Sequence, residues 1–492
     1  EYERFNTVVA NAYIKPLMKS YLGRLEGRLR DEGVGCNIFL MHSGGGIISL
    51  ENAAEFPVRL VESGPAGGAV FAANTAARYG LDKVLSFDMG GTTAKICLIK
   101  NQTPKTSRVF EVARTYRFKK GSGMPISIPV IDMVEIGAGG GSLAHVDAMR
   151  QIRVGPESAG SEPGPACYGR GGAKPAVTDA DLVLGKLDAD TFAGGTMQLD
   201  TAASAKALRD VLGDTLDMDA ATSAFGLSEV VDENMANAAR VHAVENGEDL
   251  SEYTMIAFGG AAPLHAGRLC EKLGVARLLV PQGAGVGSAI GFLRAPFSFE
   301  ANRSVYMTLA AFQPEKIKSL LADLAQEATG FVRNCDATAP ITCEFKVYMR
   351  YSGQGWEIPI TLTQDQAMDP DVTTFETRFV EDYTKLFGRA VEGMDIEITV
   401  WSVNATTPPQ AVTRVEEAID ARPAHADGTR EVFDPAIAQF VTAQVVLRDD
   451  MAIGATIDGP AVIAEDETTI IIPSSRTAIR QPDGCIDLRV KG

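Results

Sequence analysis

The sequence lacks the residue spacings that mark zinc sites and disulfide frameworks. Its seven cysteines lie far apart without a C-x-x-C pair, and its five histidines form no H-x-x-x-H or H-E-x-x-H pattern. Structural zinc is therefore not expected. An odd number of scattered cysteines in a chain of this size favours a reducing compartment, and we expect the protein to be cytoplasmic.

Long apolar runs and an excess of positive charge are lacking as well. No stretch approaches the roughly 20 consecutive apolar residues of a membrane-spanning helix. The first residues, Glu1 to Phe5, do not show the basic and then apolar pattern of a secretion signal. A formal net charge of −17 argues against a binding surface for nucleic acid or for an anionic membrane. We expect neither among the partners.

What the sequence does contain is the composition of an ordinary globular protein. The chain has 492 residues, of which 45% are hydrophobic and 22% are charged. This length exceeds what one hydrophobic core usually supports, so about two to four domains are expected.

The most informative stretch runs from Phe87 to Lys95 and reads FDMGGTTAK. It lies between two apolar runs, Lys83 to Phe87 and Ile96 to Ile99, which are predicted strands. The two glycines between them allow a tight turn that brings backbone N–H groups against a ligand. Free N–H donors form an anion site, and a carboxylate beside them suits a magnesium-bridged phosphate.

This turn is therefore the first candidate site. We predict that Asp88 holds magnesium through water or orients an attacking water molecule. The predicted phosphate contacts around it are Gly90, Gly91, Thr92, Thr93 and Lys95. The alternative is an ordinary hairpin turn in which the threonines reflect strand propensity and the lysine is a solvated strand residue.

A second candidate turn, Gly259-Gly260-Ala261, follows a predicted strand from Met255 to Phe258 and begins a predicted helix that ends at Leu273. Backbone amides at a helix N-terminus suit a phosphate or adenosine contact. Close packing of the strand on the helix is the alternative explanation. The helix leads to a strand at Arg277 to Val280, so this segment is a second α/β element.

Two further glycine loops, Gly137 to Ser142 and Gly44 to Gly46, have similar potential to bind an anion; in the first, Gly139 and Gly140 are predicted ligand contacts. Asp132 and Glu135 precede the first loop, where general acid–base chemistry and a solvated or capping role are both open. For Cys167, a nucleophile is the functional alternative to a buried structural thiol.

The pattern of hydrophobic and polar residues changes after about residue 296. We predict an α/β nucleotide-binding domain over residues 1–296, with an inserted region at about 102–225 that is rich in glycine, proline and serine. Alternating runs such as Ile341 to Tyr351 and Glu357 to Leu362 predict a β-rich C-terminal domain over residues 297–492.

Six motifs, taken in order, resemble the hydantoinase A / 5-oxoprolinase family. They are Glu62–Gly68 (ESGPAGG), Asp88–Thr92 (DMGGT), Ile136–Ser142 (IGAGGGS), Gly164–Gly169 (GPACYG), Phe258–Ala261 (FGGA) and Arg350–Gly355 (RYSGQG). The resemblance covers essentially the whole chain. It implies an actin-like, ribonuclease H-like nucleotide-binding lobe, with Asp88 to Thr93 as a phosphate motif and Gly259 to Ala261 as the adenosine motif.

The resemblance also implies a first lobe with a D-x-G-G-T-F-T-D hairpin, which this sequence does not contain. Because the chain also lacks an initiator Met, we expect a fragment that carries one half of an ATP site. Many relatives have Asp at the position of Lys95, and many have Gly at the position of Ala262.

The implied activity is ATP-dependent opening of a cyclic amide such as a hydantoin or 5-oxoproline, by phosphorylation of the amide oxygen. The implied cofactors are ATP and Mg²⁺, and the implied partner is a B-type hydantoinase subunit in an oligomer. One alternative is a subunit of an ATP-dependent ketone carboxylase, acting on acetone or acetophenone. Another is a non-catalytic nucleotide-binding subunit.

Overall fold

The computed structural model describes residues 2–115, 121–418 and 422–491. Its helices are α1 Tyr2–Asp31, α2 Leu50–Glu55, α3 Ser63–Tyr79, α4 Val177–Val183, α5 Thr201–Leu208, α6 Asp214–Leu216, α7 Ala220–Glu245, α8 Ala262–Leu273, α9 Gly287–Phe292, α10 Pro314–Cys335, α11 Gln364–Met368 and α12 Val372–Phe387. Within these ranges, no helix is long and apolar enough to cross a membrane.

The strands of the first half are β1 Phe39–Met41, β2 Ile47–Ser49, β3 Lys83–Met89, β4 Ala94–Lys100, β5 Thr103–Pro104, β6 Thr106–Val112, β7 Met124–Ile131, β8 Met133–Ile136, β9 Ser142–Val146, β10 Ile152–Ser158, β11 Thr254–Phe258 and β12 Arg277–Val280. Those of the second half are β13 Ser298–Arg303, β14 Met307–Thr308, β15 Thr342–Tyr351, β16 Ile358–Leu362, β17 Ile396–Thr406, β18 Gly428–Asp434, β19 Gln439–Leu447, β20 Thr456–Asp458, β21 Ala461–Ala464, β22 Thr469–Ile472, β23 Arg476–Arg480 and β24 Ile486–Val490.

The chain forms two compact units, and each is built from separate stretches of sequence. Unit 1 comprises residues 1–63, 125–129 and 295–410. Unit 2 comprises residues 64–124, 130–294 and 411–492. The chain leaves unit 1 for the last time just after Pro408 and Pro409.

Unit 2 contains a nine-stranded sheet that carries the candidate site. The strand order is β20-β23-β24-β12-β11-β3-β4-β5, with β8 paired to β4. Strand β11 runs parallel to both β3 and β12, and the β11–α8–β12 segment is the predicted second α/β element. Apolar side chains such as Leu85, Phe87 and Ile256 are fully buried in these strands. Burial on this scale is what fixes their order and register.

Unit 1 has its own sheet and core. Strands β13, β17, β15 and β16 pair in that order, and β14 pairs with β17. Helix α12 buries Phe375, Phe379 and Tyr383 at a spacing of four residues, which places them on one helix face. They join Trp401 and Tyr351 in one apolar cluster. The sequence predicts β15 and β16 of this unit, but not β13, β14 and β17 or the two long helices α10 and α12.

The compact units differ from the predicted division at residue 296. Residues 411–492 belong to unit 2, because β24 pairs antiparallel with β12 and β23 pairs with β24. Residues 1–63 belong with 295–410 instead. Only contacts between distant segments determine this arrangement, and local composition does not report them.

Candidate functional site

The turn after Asp88 is a hairpin between two buried strands, as predicted. Strands β3 and β4 are antiparallel, with Asp88 opposite Lys95 and Met89 opposite Ala94. The turn is closed by a hydrogen bond from the Gly90 amide to the Thr93 carbonyl, 3.2 Å long. Since both strands lie inside the sheet, the hairpin holds Asp88 at a fixed position at the end of β3.

The tip of this hairpin is open. A Cβ built on Gly90 or Gly91 meets no heavy atom within 4 Å. In the described part of the chain, the Gly91 amide has no hydrogen-bond partner. The Thr92 side chain is exposed beside it. A ligand anion can therefore approach free donors here without displacing protein atoms.

Asp88 itself is largely enclosed. Its Oδ2 accepts a hydrogen bond from the Ser288 hydroxyl at 3.2 Å. Burial raises the pKa of Asp88 above its ordinary value, while Lys95 and the Ser288 hydroxyl oppose that rise. A desolvated carboxylate next to open space is the environment in which a bound cation is most favourable.

Lys95 connects the turn to the neighbouring strand. Its ammonium group donates to the Thr93 hydroxyl at 2.6 Å and lies 3.3 Å from Oε1 of Glu135 on β8. The alternative of a plain solvated lysine does not fit, because this side chain is only 17% exposed. Glu135 and Asp132 contact different lysines, since Asp132 lies 3.8 Å from Lys105. Each of the two carboxylates therefore has a lysine partner of its own.

The loop Gly137 to Ser142 packs directly against the hairpin. The Gly140 amide donates to the Gly90 carbonyl at 3.0 Å, and the Gly141 amide donates to the Gly91 carbonyl at 2.6 Å. A Cβ on Gly139 would lie 2.6 Å from the Thr92 nitrogen. The amides of Gly139 and Gly140, both predicted ligand contacts, thus already donate within the protein, to the Ser142 hydroxyl and to the Gly90 carbonyl.

The Gly259 turn meets the other side of Asp88. The Ala261 amide donates to the Met89 carbonyl at 3.0 Å, and the Gly259 amide donates to the Ala284 carbonyl at 2.8 Å. A Cβ on Gly259 would lie 2.6 Å from Asp88 Oδ1, and its φ of +93° also requires glycine. The structure thus brings the predicted phosphate turn, the predicted Gly137–Ser142 glycine loop and the predicted adenosine turn together at the β3–β4 hairpin.

Several contributors were not identified from the sequence. Ser288 belongs to α9 and faces α3, where a Cβ on Gly68 would lie 2.9 Å from the Ser288 hydroxyl oxygen. Thr468, from the C-terminal segment, donates its hydroxyl to the Gly260 carbonyl at 2.8 Å. The ESGPAGG motif could have indicated the position of Ser288, because its glycines in α3 permit α9 to pack closely against that helix. No local pattern marks Thr468.

The remaining candidates have structural roles. In unit 1, the Gly44 amide donates to His42 Nδ1 and the Gly45 amide donates to the His42 carbonyl, both at 3.0 Å. This leaves fewer amides for an anion than the sequence predicts. Cys167 is fully buried, and burial together with Asp179 raises the pKa of its thiol. A nucleophile needs a lowered pKa and access to substrate, so the structural alternative fits Cys167.

The donor set fits a magnesium–nucleotide rather than a magnesium ion held by protein alone. Within the described ranges, no group of three or more His, Cys, Asp or Glu side chains could hold a metal ion. Mg²⁺ is commonly bound by one or two carboxylates together with phosphate oxygens and water. Asp88 beside the open Gly91 amide supplies that combination.

Comparisons with known proteins agree with this arrangement. The family model described as hydantoinase/oxoprolinase matches residues 4–301, and that of the hydantoinase/oxoprolinase C-terminal domain matches residues 309–482. An uncharacterized protein of Methanocaldococcus jannaschii is 34% identical over 489 residues, which cover 99% of this chain and 70% of that protein.

Two named enzyme subunits are also similar. Caprolactamase subunit alpha of Pseudomonas jessenii is 30% identical, with 99% of this chain and 70% of the relative covered. Acetophenone carboxylase gamma subunit of Aromatoleum aromaticum is 28% identical, with 96% of this chain and 65% of the relative covered.

A solved structure resembles the whole chain. The crystal structure of the ATP-dependent caprolactamase from Pseudomonas jessenii superposes with a TM-score of 0.83 at 28% identity, covering 100% of this chain and 71% of that one. This match confirms the predicted fold class, an α/β actin-like nucleotide-binding region followed by a β-rich C-terminal region. The chain belongs to the hydantoinase/oxoprolinase family.

Proposed function

We propose that this chain is the nucleotide-binding part of an enzyme that uses ATP to open a cyclic amide. The observation that carries the proposal is the packing of two glycine turns on the Asp88 hairpin, with the Gly259 turn against the Asp88 carboxylate, because that geometry offers one carboxylate and an open backbone donor to a magnesium-bridged phosphate. The similarity to a caprolactamase alpha subunit supports a cyclic amide as the substrate class.

In the proposed reaction the amide oxygen of the substrate attacks the γ-phosphorus of ATP. The new P–O bond forms as the bond to the β–γ bridging oxygen breaks, and ADP leaves. Water then adds to the carbon that bears the phosphorylated oxygen, and the ring C–N bond breaks as the nitrogen takes up a proton. Hydrolysis of the resulting acyl phosphate releases phosphate and leaves the carboxylate. Bound Mg²⁺ would neutralise phosphate charge at this site.

Each residue of the turn has a defined part in this proposal. Asp88 would hold the metal or orient water, and Lys95 would offset charge on the phosphoryl group. The Gly91 amide and Thr92 and Thr93 hydroxyls would bind phosphate oxygens. Gly259 to Ala261 would contact the adenosine end of the nucleotide.

We propose further that activity requires a second, B-type subunit in an oligomeric assembly. The similar caprolactamase and acetophenone carboxylase chains are themselves named as subunits. A second part of the nucleotide site would come from the share of its relatives' length that this chain does not match. A reducing, cytoplasmic setting is consistent with seven cysteines that are all free thiols.

A second candidate function is that of a ketone carboxylase subunit. The acetophenone carboxylase gamma subunit favours it, because it matches 96% of this chain. The phosphate turn would serve both reactions equally, since each begins with phosphorylation of a substrate oxygen.

The test is magnesium-dependent ATP consumption by the chain together with its B-type partner. The substrate panel contains hydantoin, 5-oxoproline, caprolactam, and acetophenone with bicarbonate. Stimulation by a cyclic amide that is lost in Asp88→Ala supports the hydrolase. Asp147→Ala is the matched control, because it removes a carboxylate of the same unit that pairs with Arg153 in the β9–β10 hairpin.

Stimulation of ATP consumption only by ketone with bicarbonate would support the carboxylase function in place of the hydrolase function. If no substrate stimulates consumption and Asp88→Ala binds magnesium–ATP as the unchanged chain does, the chain is a non-catalytic subunit.

A further inference from the structure

A fully buried set of charged side chains lies in unit 2 behind the glycine turns. We call it the buried array and define it as Asp181, Lys186, Ser228, Asp232 and His265. Asp181 and Asp232 are 1% and 2% exposed, and His265 is completely buried. Burying charged groups is costly unless each is paired, so their placement needs an explanation.

Every polar group of the array is paired. His265 Nδ1 lies 2.8 Å from an Asp232 oxygen, and His265 Nε2 lies 3.1 Å from an Asp181 oxygen. The Lys186 ammonium donates to Asp181 and to the Ser228 hydroxyl, each at 2.9 Å. Two cations face two anions, so the array is neutral as a whole.

The histidine is charged in this setting. Ionised carboxylates only accept hydrogen bonds, so both ring nitrogens of His265 carry a proton when Asp181 and Asp232 are ionised. Burial alone would lower the pKa of His265, but Asp181 and Asp232 outweigh burial and raise it to about 9. The array is therefore an ion network whose geometry is defined by several directed bonds.

The array joins three different helices. Asp181 belongs to α4, Ser228 and Asp232 belong to α7, and His265 belongs to α8. Helix α8 begins at a turn of the candidate site, and the first turn of α4 contacts another, whereas α7 carries neither turn.

Helix α8 begins directly after the Gly259 turn, and His265 lies four residues beyond Ala261. Helix α4 contacts the Gly137–Ser142 loop, because the Thr178 amide and hydroxyl both donate to the Gly140 carbonyl at 2.8 Å. The Gly140 amide in turn donates to the Gly90 carbonyl. The array thus links α8, which begins at the Gly259 turn, with α4, which contacts the Gly137–Ser142 loop.

We propose that the buried array sets the spacing of α4 and α8, and thereby holds the Gly140 and Gly259 turns at the distance that a magnesium–nucleotide requires. His265 and Asp232 are positioning residues in this scheme, since neither reaches the open side of the site. The proposal rests on the proposed nucleotide-binding function.

The test substitutes Asp232, because it lies on α7 and so carries neither turn. Asp232→Asn keeps the side-chain shape and an acceptor for His265 Nδ1 but removes the charge. The matched control is Asp487→Asn, which removes another buried carboxylate of unit 2, paired with Arg277 and Arg489 away from the turns. Ser228→Ala is a milder second variant that removes only one hydroxyl partner of Lys186.

The first readout is the Kd for magnesium–ADP, measured by calorimetry on the full chain. We expect Asp232→Asn to raise Kd about 10- to 100-fold, the usual range for residues that orient direct ligands. Ser228→Ala should raise it less, and Asp487→Asn should leave it unchanged. The second readout is hydrogen exchange of the amides at 139–141 and 259–264 without nucleotide, where Asp232→Asn should speed exchange in both segments.

An unchanged Kd and unchanged exchange in both Asp232→Asn and Ser228→Ala would overturn the proposal. So would an equal loss in Asp487→Asn, because the effect would then follow from general destabilisation. If Asp232→Asn does not fold, Ser228→Ala alone decides in the same two readouts. If the unchanged chain does not bind magnesium–ADP, or Asp88→Ala binds it equally, the proposed function fails, and the exchange experiment still decides whether the array controls the turns.

Discussion

Replacing Gly259 by alanine should disrupt the candidate site through Asp88. The added Cβ would lie 2.5 Å from the Met89 carbonyl oxygen and 2.6 Å from Asp88 Oδ1. Real Cβ atoms essentially never approach other atoms so closely, so either the turn or the carboxylate must move. The φ of +93° adds backbone strain for any residue with a side chain.

Gly274 separates these two costs, because it lies at the opposite end of the same helix α8. Its φ is +70°, but a Cβ there meets nothing within 4 Å. Gly274→Ala should therefore cost only the left-handed strain, about 1–2 kcal/mol. Gly259→Ala adds overpacking of about 1–3 kcal/mol and moves Asp88 as well.

The assay is urea unfolding together with the Kd for magnesium–ATP. We expect both variants to be less stable, with the larger loss in Gly259→Ala. Only Gly259→Ala should weaken nucleotide binding, by about tenfold or more, since each 1.4 kcal/mol lost changes Kd tenfold. If the two variants lose equal stability and bind nucleotide equally well, Gly259 does not contact Asp88 in the way described.

Three further predictions concern charged groups. Burial raises the pKa of Asp88, so the charged form of this side chain lowers the stability of the fold. That cost is absent at low pH and grows as pH rises through the raised pKa. Asp88→Asn should therefore increase the urea midpoint at pH 7 while abolishing magnesium-dependent nucleotide binding. An unchanged or lower midpoint would contradict this. Lys95→Met should weaken magnesium–ATP binding by about 1.5–3 kcal/mol, the net value of a hydrogen bond to a charged group. Lys100→Met, at the exposed end of the same strand, should leave binding unchanged. Equal Kd values for the two variants would exclude a phosphate role for Lys95. Burial, and after it the charge of Arg59, lowers the pKa of His42 from 6.5 to about 3. The contribution of the neutral imidazole to stability is therefore complete above pH 6.5 and is lost as pH falls toward 3. In urea unfolding from about pH 7 to about pH 4, His42→Asn should lose less stability than the unchanged chain.

Short-range features of the fold could be predicted from the sequence. The β3–β4 hairpin and the β11–α8–β12 segment both appear close to their predicted bounds. In each of them the hydrophobic period and the glycine positions lie within one continuous stretch, so sequence and local structure correspond directly.

Other features depend on pairings between distant residues. Strand β24 lies beside β12, some two hundred residues earlier in the chain, and no property of either strand alone selects that neighbour. Helix α10 was not predicted, although its sequence carries a helical pattern. Its buried positions, including Ile317, Leu321 and Leu324, do follow helical spacing.

The candidate site shows the same contrast within a few ångströms. Asp88 and its glycines are contiguous and carry a recognisable motif, but the groups that define the environment of Asp88 come from elsewhere. Ser288 donates to Asp88 across two hundred residues, and Thr468 fixes Gly260 across another two hundred. The buried array was not predicted because its residues, on α4, α7, α8 and the turn after α4, form no pattern in sequence. If the array positions the turns as proposed, then affinity for nucleotide is set partly by charges that the ligand never touches, and substitutions in α7 will separate binding from the chemistry of Asp88.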